Sequence, residues 1–410
     1  MVFHVDVNSA FLSWTATEMV KRGEPDLRLV PSCIGGDPSS RTSIVAAKSI
    51  PAKQYGITTG EPVSMALRKC PHLIVARSDF DLYVKCSKAF KAICAEYTPV
   101  MESFSIDEVF LDMSGMENIY PDLVKTAHEI KDRIRQELGF TVNVGIGENK
   151  VCAKMASDFE KPDRVHTLYR DEIPVKMWKL PVRELFTCGK SSAQKLQSAG
   201  IRTIGQLANA KEELLIRLLG EKQGLHLKQY ANGIDNSPVT NQIDDAKSYS
   251  AETTVDDNLS DLESINHILL AQADIVAARM RADDGKCSCV GVNYRTIEFR
   301  NKSHQRKLSE PTNLTAVIYE TAKQLVKESW FGEPLRLVGL TLMDIHREEY
   351  EQISLFRDEK KEKLKMLDAA LDSIRERYGN ESIQRASTVQ MNRKINRKYQ
   401  AEQKNDRKLD

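Results

Sequence analysis

The run SFSIDEVFLDM, residues 103–113, sets an adjacent acidic pair, Asp107 and Glu108, between two halves that read as β-strand. A turn between paired strands commonly carries Asn, Gly or Asp for backbone reasons, so Asp107 alone reads as a hairpin residue. A second stretch changes the weight of that pair. VFHVDVNSAF, residues 2–11, opens on an apolar strand that ends in a third acid, Asp6. Neighbouring strands of one sheet can bring three carboxylates together, and hard oxygen ligands of this kind suit magnesium, which keeps room for phosphate oxygens and water.

Outward from these strands the chain divides by pattern. To about residue 170, strand patterns (VFHVDV, FSIDEVFLDM, FTVNVGIG) mix with helical stretches such as 122–138, an α+β layer. Inside it, residues 27–75 form a compact α/β insertion closed by the Gly60-Glu61-Pro62 turn and the Cys70-Pro71 break. From Pro174 to Asn236 the pattern is helical with glycine-marked turns, and a polar stretch near 237–246 reads as a linker. Residues 247–346 mix helices (261–283, 312–330) with alternating strands in β-α-β order. The sequence after 347 is a charged, partly helical tail whose end has the composition of a disordered segment.

At 410 residues the chain is too long for one ordinary core, which predicts several modules. With 41% apolar and 29% charged residues and no apolar run near the ~20 residues that span a bilayer, it reads as soluble and without a membrane segment. The first residues lack a basic stretch and long apolar core, which predicts a cytoplasmic protein. Eight cysteines without a CxxC pair read as free thiols and not zinc ligands. A net charge of +1 gives no global sign of nucleic acid, but local charge does. Between Lys286 and Ser309, strand-like sequence carries Lys286, Arg295, Arg300, Lys302, Arg306 and Lys307 against Glu298, and Arg336 lies on a further strand pattern. Such a run is by default a solvated face and gains meaning in combination with other signals.

Two lysines could neutralise a triphosphate as point charges: Lys53, after Pro51-Ala52, and Lys161 in SDFEKPDR. Two ions about 3.5–4 Å apart beside them could activate an attacking 3′-hydroxyl and stabilise a departing pyrophosphate. Gly189-Lys190-Ser191 imitates the end of a P-loop, but Glu184 occupies the required upstream glycine position. Gly35-Gly36-Asp37 is followed by Pro-Ser-Ser, which supplies no further acid. In the helical segment, TCGKSSAQKLQSAGIRTIGQLA and LLGEKQGLHLKQYANGID each read as helix, glycine turn, helix. With Lys190 and Lys222 beside Gly189 and Gly220, these tandem units can offer backbone amides to a DNA phosphate without reading bases. The plain alternative is a pair of helical hairpins closed by capping glycines.

In order along the chain, VDVNSAFLSW, SIDEVFLD, VGIGENKVCAKMASDFEKPD, the tandem hairpins, KSYSAETT, NYRTIEFR, LSEPTNLT and RLVGLTL resemble the DinB/UmuC-type Y-family of lesion-bypassing DNA polymerases, to about residue 389. The resemblance implies an α+β right hand: palm 1–26 and 76–170, fingers 27–75, thumb 171–236, linker 237–246, little finger 247–346 and tail 347–410. It implies low-fidelity synthesis from dNTPs on primer-template DNA by a monomer with two Mg²⁺ ions. By position, Asp6 and Asp107 would bridge both ions, Glu108 would bind the catalytic one, and the Val7 carbonyl would complete the other. Phe11 falls at the family's steric gate, and Lys53 and Lys161, with the backbone of Ser9 and Ala10, at its triphosphate site. Gly189, Lys190, Gly220, Lys222 and the basic row would hold DNA. Gln352-Ile353-Ser354-Leu355-Phe356 resembles the Q-x-x-L-F peptide that docks bacterial polymerases on a sliding clamp, with Gln352, Leu355 and Phe356 as its anchors. There are departures: Ile50 stands where many relatives have tyrosine, Thr187 where glycine is common, and Arg164 where glycine follows Lys-Pro-Asp.

Two other readings share some of these features. A different two-metal nucleotidyltransferase or cyclase would keep the acids and lack the tandem hairpins and the basic β domain. A non-enzymatic DNA-binding protein would use the acids merely to cap turns.

Overall fold

The computed structural model describes residues 1–242, 244–347, 359–379 and 382–386. It divides into two compact units, the first made of 1–39 and 43–243, the second of 40–42 and 244–410. In the first unit β1 (Val2–Val7) is buried along its whole length and leads into α1 (Ala10–Lys21). A small lobe follows: β2 (Ser32–Ile34), β3 (Ala47–Lys48), α2 (Ile50–Gln54), α3 (Val63–Lys69) and β4 (Ile74–Ala76). Its three-stranded sheet, in the order β3-β2-β4, closes on its own core of Cys33, Val45, Ile57, Val63 and Leu73.

The chain then supplies α4 (Phe80–Ala95), β5 (Met101–Ser103), β6 (Glu108–Asp112), α5 (Leu123–Leu138), β7 (Val142–Gly147), α6 (Lys150–Ser157) and β8 (Val165–Leu168). The main sheet runs β5-β6-β1-β7-β8, so β1 lies between two antiparallel neighbours. Alternation then sorts its side chains. Phe3, Val5 and Val7 join Trp14, Tyr83, Phe90, Ile130 and Ile134 in the core beneath α1, α4 and α5, while His4 and Asp6 face the other way, toward α6. The VGIG pattern explains why α6 sits so close to the sheet. A Cβ on Gly145 would lie 2.0 Å from the Ala153 carbonyl oxygen, and one on Gly147 would lie 2.6 Å from the Ala153 nitrogen. Only glycine admits that approach.

Between Pro174 and Asn236, read as helical in the sequence, the chain forms α7 (Lys190–Ser198), α8 (Ile204–Ala208), α9 (Glu212–Leu219) and α10 (Glu221–Ala231). Leu196, Ile204, Leu215 and Leu227 share one core with Cys152 and Met155 of α6. The stretch read as a linker is strapped down at its start. Val239 is buried with Val2, Phe110 and Ala153, and the Thr240 amide donates to Glu102 at 3.2 Å. A short apolar residue in polar surroundings hid that attachment.

The second unit holds β9 (Tyr249–Leu259), α11 (Leu262–Ala282), β10 (Lys286–Thr296), β11 (Asn301–Thr312), α12 (Thr315–Ser329), β12 (Leu335–His346) and α13 (Glu359–Tyr378). Its sheet runs β11-β10-β12-β9, all antiparallel, with α11 and α12 packed on one face over Val290, Val292, Tyr294, Leu340 and Leu342. Tail helix α13 belongs to this unit. Arg281 binds Asp372 at 2.6 Å and Asp368 at 3.4 Å, and Asp368 accepts from the Thr315 amide at the start of α12. Asp274 of α11 pairs with Arg375 and Arg385. Among the described residues no helix is long and apolar enough to cross a membrane, and all eight cysteines are free thiols.

Candidate active site

Asp6 and Glu108 are register partners across β1 and β6, which places both carboxylates on the face of the sheet that α6 covers. Asp107 precedes β6 directly, and its carbonyl accepts from the Val7 amide at 3.0 Å. Its carboxylate accepts from the Ser105 hydroxyl at 2.7 Å. Burial, and with it the charges of Asp6 and Glu108, holds the Asp107 carboxyl above its usual range, against the lowering from Ser105. Three acids from two distant stretches of sequence therefore share one field.

Two ammonium groups answer that field. Lys154 Nζ lies 3.2 Å from Asp6 and 3.0 Å from Glu108, and Lys161 Nζ lies 3.0 Å from Asp6. Burial works against the charge of both lysines, but Asp6 and Asp158 outweigh it, joined by Glu108 at Lys154, and raise both. Lys161, read in the sequence as a triphosphate-binding lysine, is thus placed beside the acids. Lys154 escaped sequence reading because a lysine inside a helical run looks like a surface residue. Its sole sequence signal is position, on the same short helix that VGIG draws against the strands. Among the described residues no three His, Cys, Asp or Glu side chains are arranged to hold a metal ion. Two of the three carboxylates are engaged by ammonium groups instead. The donor set still fits magnesium in kind: hard oxygens, mutual repulsion that a cation relieves, and few enough protein ligands to leave places for phosphate and water.

Behind the acids, His4 is fully buried. Its Nδ1 meets the Ser157 hydroxyl at 2.8 Å, and its Nε2 stands 3.5 Å from Glu108. Burial, then the nearby Lys154 charge, pulls its pKa down to about 3, so the imidazole beside Glu108 is neutral at pH 7.

The turn after β1 is tightly held. Ser9 adopts a left-handed conformation, φ 47°, where a non-glycine residue stores strain. Asn8, another residue sequence reading passed over, fixes this turn. Its side chain accepts from Thr141 and the Asp163 amide and donates to Asn143, while its carbonyl accepts from Ser13. Ala10 is buried at the head of α1 and Phe11 is half-buried. Tyr83 stacks on Phe11 with centroids 4.6 Å apart and planes 21° apart. Lys53 lies exposed at the end of α2, in the smaller lobe, where Ser49 caps the helix. Ile50, in place of the frequent tyrosine, is 59% exposed and offers no hydroxyl.

In the helical segment, Gly189 precedes α7 and Gly220 precedes α10, each without a side-chain cap, and Lys190 and Lys222 are exposed there. Thr187 takes φ 67°, the conformation a glycine would adopt freely, and bonds His226 at 3.2 Å.

In the second unit the basic row is not one stripe. The pleat splits it. Arg295 and Lys307 fall on the sheet face away from the helices, with Arg295 bonded to its register partner Asn301. Lys302 and Arg306 alternate to the helix side, where they pair with Glu333 and Glu328. Arg300 sits at the exposed hairpin tip, and Arg336 lies over the Phe299 ring at 4.8 Å. Gln352, Leu355 and Phe356 lie outside the described residues.

Comparison with known proteins gives a consistent set of likenesses. The model of the impB/mucB/samB family matches residues 5–158, and that of its C-terminal domain matches 246–355. Between them, residues 183–235 match the thumb domain of DNA polymerase-iota. A DNA polymerase IV of Clostridium acetobutylicum is 45% identical over 399 residues, 96% of this chain and 99% of that protein. DNA polymerase IV 1 of Bacillus subtilis is 34% identical over 392 residues, 95% of this chain and 93% of that protein. Among solved structures, a Y-family DNA polymerase chimera of Dbh and Dpo4 superposes with a TM-score of 0.73 at 22% identity, covering 85% of this chain and 99% of the chimera.

Proposed function

We propose two-metal nucleotidyl transfer for this chain, which belongs to the impB/mucB/samB family and so to the Y-family of DNA polymerases. The observation that carries the proposal is the register of Asp6 against Glu108 with Asp107 beside them. Asp6, Asp107 and Glu108, with the Val7 carbonyl, would hold two Mg²⁺ ions, which when bound supply activation of the primer 3′-hydroxyl and charge relief at the departing pyrophosphate. Lys154 and Lys161 already neutralise these acids, so part of their charge is available to the triphosphate when the acids turn to metal. Lys161, Lys53 and the strained turn at Ser9 and Ala10 would bind the incoming dNTP. Phe11 would lie under its sugar, held by Tyr83.

The same reading assigns Gly189, Lys190, Gly220 and Lys222 to the primer-template backbone, together with Arg295, Arg300, Lys307 and Arg336. Lys302 and Arg306 contribute there only when released from their acids. With this equipment the chain extends primers across damaged template bases at low fidelity, and Gln352, Leu355 and Phe356 tether it to a sliding clamp. Primer extension by the purified chain on undamaged and lesion-bearing templates, with Mg²⁺ and then with a chelator, tests the reading. Extension that needs Mg²⁺ and continues past lesions is the expected result. DNA binding without extension in Mg²⁺ would leave a DNA-binding protein that is no polymerase.

A further inference from the structure

The loop that delivers Asp107 is held from beneath by two side chains of α4. Ser87 Oγ donates to the Ile106 carbonyl at 2.5 Å. Lys91 Nζ donates to the Ser105 carbonyl at 2.7 Å and to the Ser103 hydroxyl at 2.6 Å. Both side chains are buried, at 1% and 6% exposure. Ser105 carries the contact onward: its hydroxyl donates to the Asp107 carboxylate at 2.7 Å and accepts from the Asp107 amide at 3.3 Å. Ser105 thus joins the two ends: its backbone carbonyl is held by the interior ammonium, and its hydroxyl holds the carboxylate.

That ammonium is costly to keep. No carboxylate forms an ion pair with Lys91 among the described residues, and burial brings its pKa down to about 8, against the pull of Asp107 and Cys94. The same face of α4 is otherwise core, with Tyr83, Phe90 and Cys94 buried alongside. Methionine or leucine at position 91 would fill the space without desolvating a charge. Buried ionisable groups with strongly moved pKa values concentrate at functional sites, and this one holds the loop that carries Asp107.

We propose that Lys91, assisted by Ser87, is a positioning residue for the reaction: it fixes the 103–106 loop so that the Ser105 hydroxyl presents the Asp107 carboxylate to its ligands. The role rests on the reading of Asp107 as catalytic. Removing groups that orient metal ligands typically costs about 10–100-fold in metal affinity or activity.

The test uses the full chain with Lys91→Met, Lys91→Arg and Ser87→Ala. It compares kcat, KM for dNTP, Kd for primer-template, Tm, and the Mg²⁺ concentration for half-maximal rate. In Lys91→Met, kcat should fall about 10–100-fold and the Mg²⁺ requirement should rise, with Kd near the parent value and Tm no lower than the parent's. Lys91→Arg should recover part of both, and Ser87→Ala should shift them in the same direction by less. A folded Lys91→Met with parental kcat and Mg²⁺ requirement overturns the inference. So does a loss that tracks Tm or DNA affinity and is not relieved by arginine. Should Lys91→Met fail to fold, Ser105→Ala decides, since it removes the hydroxyl that holds the carboxylate: a lower kcat with raised Mg²⁺ requirement supports the role, and parental values remove it. Asp107→Ala separates the two levels. An active Asp107→Ala removes the catalytic reading itself, whereas an inactive one beside a parental Lys91→Met removes only the positioning role.

Discussion

Asp6 and Glu108 stand opposite each other across two antiparallel strands, so both carboxylates leave the sheet on one face. The Val7 amide ties the Asp107 backbone to the same strand. Because DNA affinity comes mainly from phosphate contacts elsewhere, Asp107→Ala or Glu108→Ala should abolish primer extension, a loss on the order of 10³-fold or more, equivalent to about 4 kcal/mol of barrier. Primer-template binding should stay nearly unchanged. Paired extension and binding assays check this, and retained activity in both variants would sink the metal assignment.

Phe11 makes a second, independent test of the active-site reading. Stacked on Tyr83 and with its edge toward Phe80 at 6.2 Å, the ring is fixed and not free to swing aside. A fixed ring under the sugar rejects a 2′-hydroxyl by steric clash. Phe11→Ala should therefore incorporate ribonucleotides far better, by about tenfold or more for a barrier change of ~1.4 kcal/mol. Unchanged sugar preference in the folded variant would make Phe11 a core residue.

The acids and Lys161 are legible in sequence because each sits where a strand ends or a motif is dense. Lys154 and Lys91 are not, because their importance lies in what the fold places opposite them. A lysine within a helix carries no sign of the carboxylates, or of the Ser105 carbonyl, that it will meet. The basic row shows a similar limit. Composition locates it on strands, but the register of β10 against β11 decides which members share a face.

That register predicts unequal contributions to DNA grip. Each lysine or arginine that neutralises a phosphate adds about 0.9 to the slope of log affinity against log salt. Arg295→Ala and Lys307→Ala should each flatten the slope by about 1, similarly for all template sequences. Lys302→Ala and Arg306→Ala, whose partners are Glu333 and Glu328, should change it by less. Equal effects from all four would place the DNA across both faces.

Lys91 also leaves a signature in stability. Its pKa in the fold, about 8, lies below the ordinary lysine value of 10.5, so between those values the unfolded chain binds more protons and stability contributed at this site rises with pH. Below pH 8 the full cost of the buried ammonium is present. Relative to Lys91→Met, the parent should therefore gain about 2 kcal/mol between pH 7.5 and 9.5. Urea unfolding of both proteins at the two pH values measures the difference. A flat difference would show that Lys91 titrates as an ordinary surface lysine.

Gln352-Ile353-Ser354-Leu355-Phe356 lies outside the described residues, but the sequence on either side is anchored. Before it, Arg347 donates to the Ala246 carbonyl at 3.0 Å and to the Tyr249 hydroxyl at 3.1 Å. After it, α13 is fastened by Asp368 and Asp372 to Arg281 and by Arg375 to Asp274. A Leu-Phe pair can fill an apolar pocket while glutamine sets register by hydrogen bonds. A tether of this kind raises local concentration in place of intrinsic grip on DNA. Leu355→Ala combined with Phe356→Ala should leave unassisted primer extension intact and remove stimulation by a loaded clamp. Equal stimulation of parent and variant would mean that the two side chains serve only the fold of their own unit.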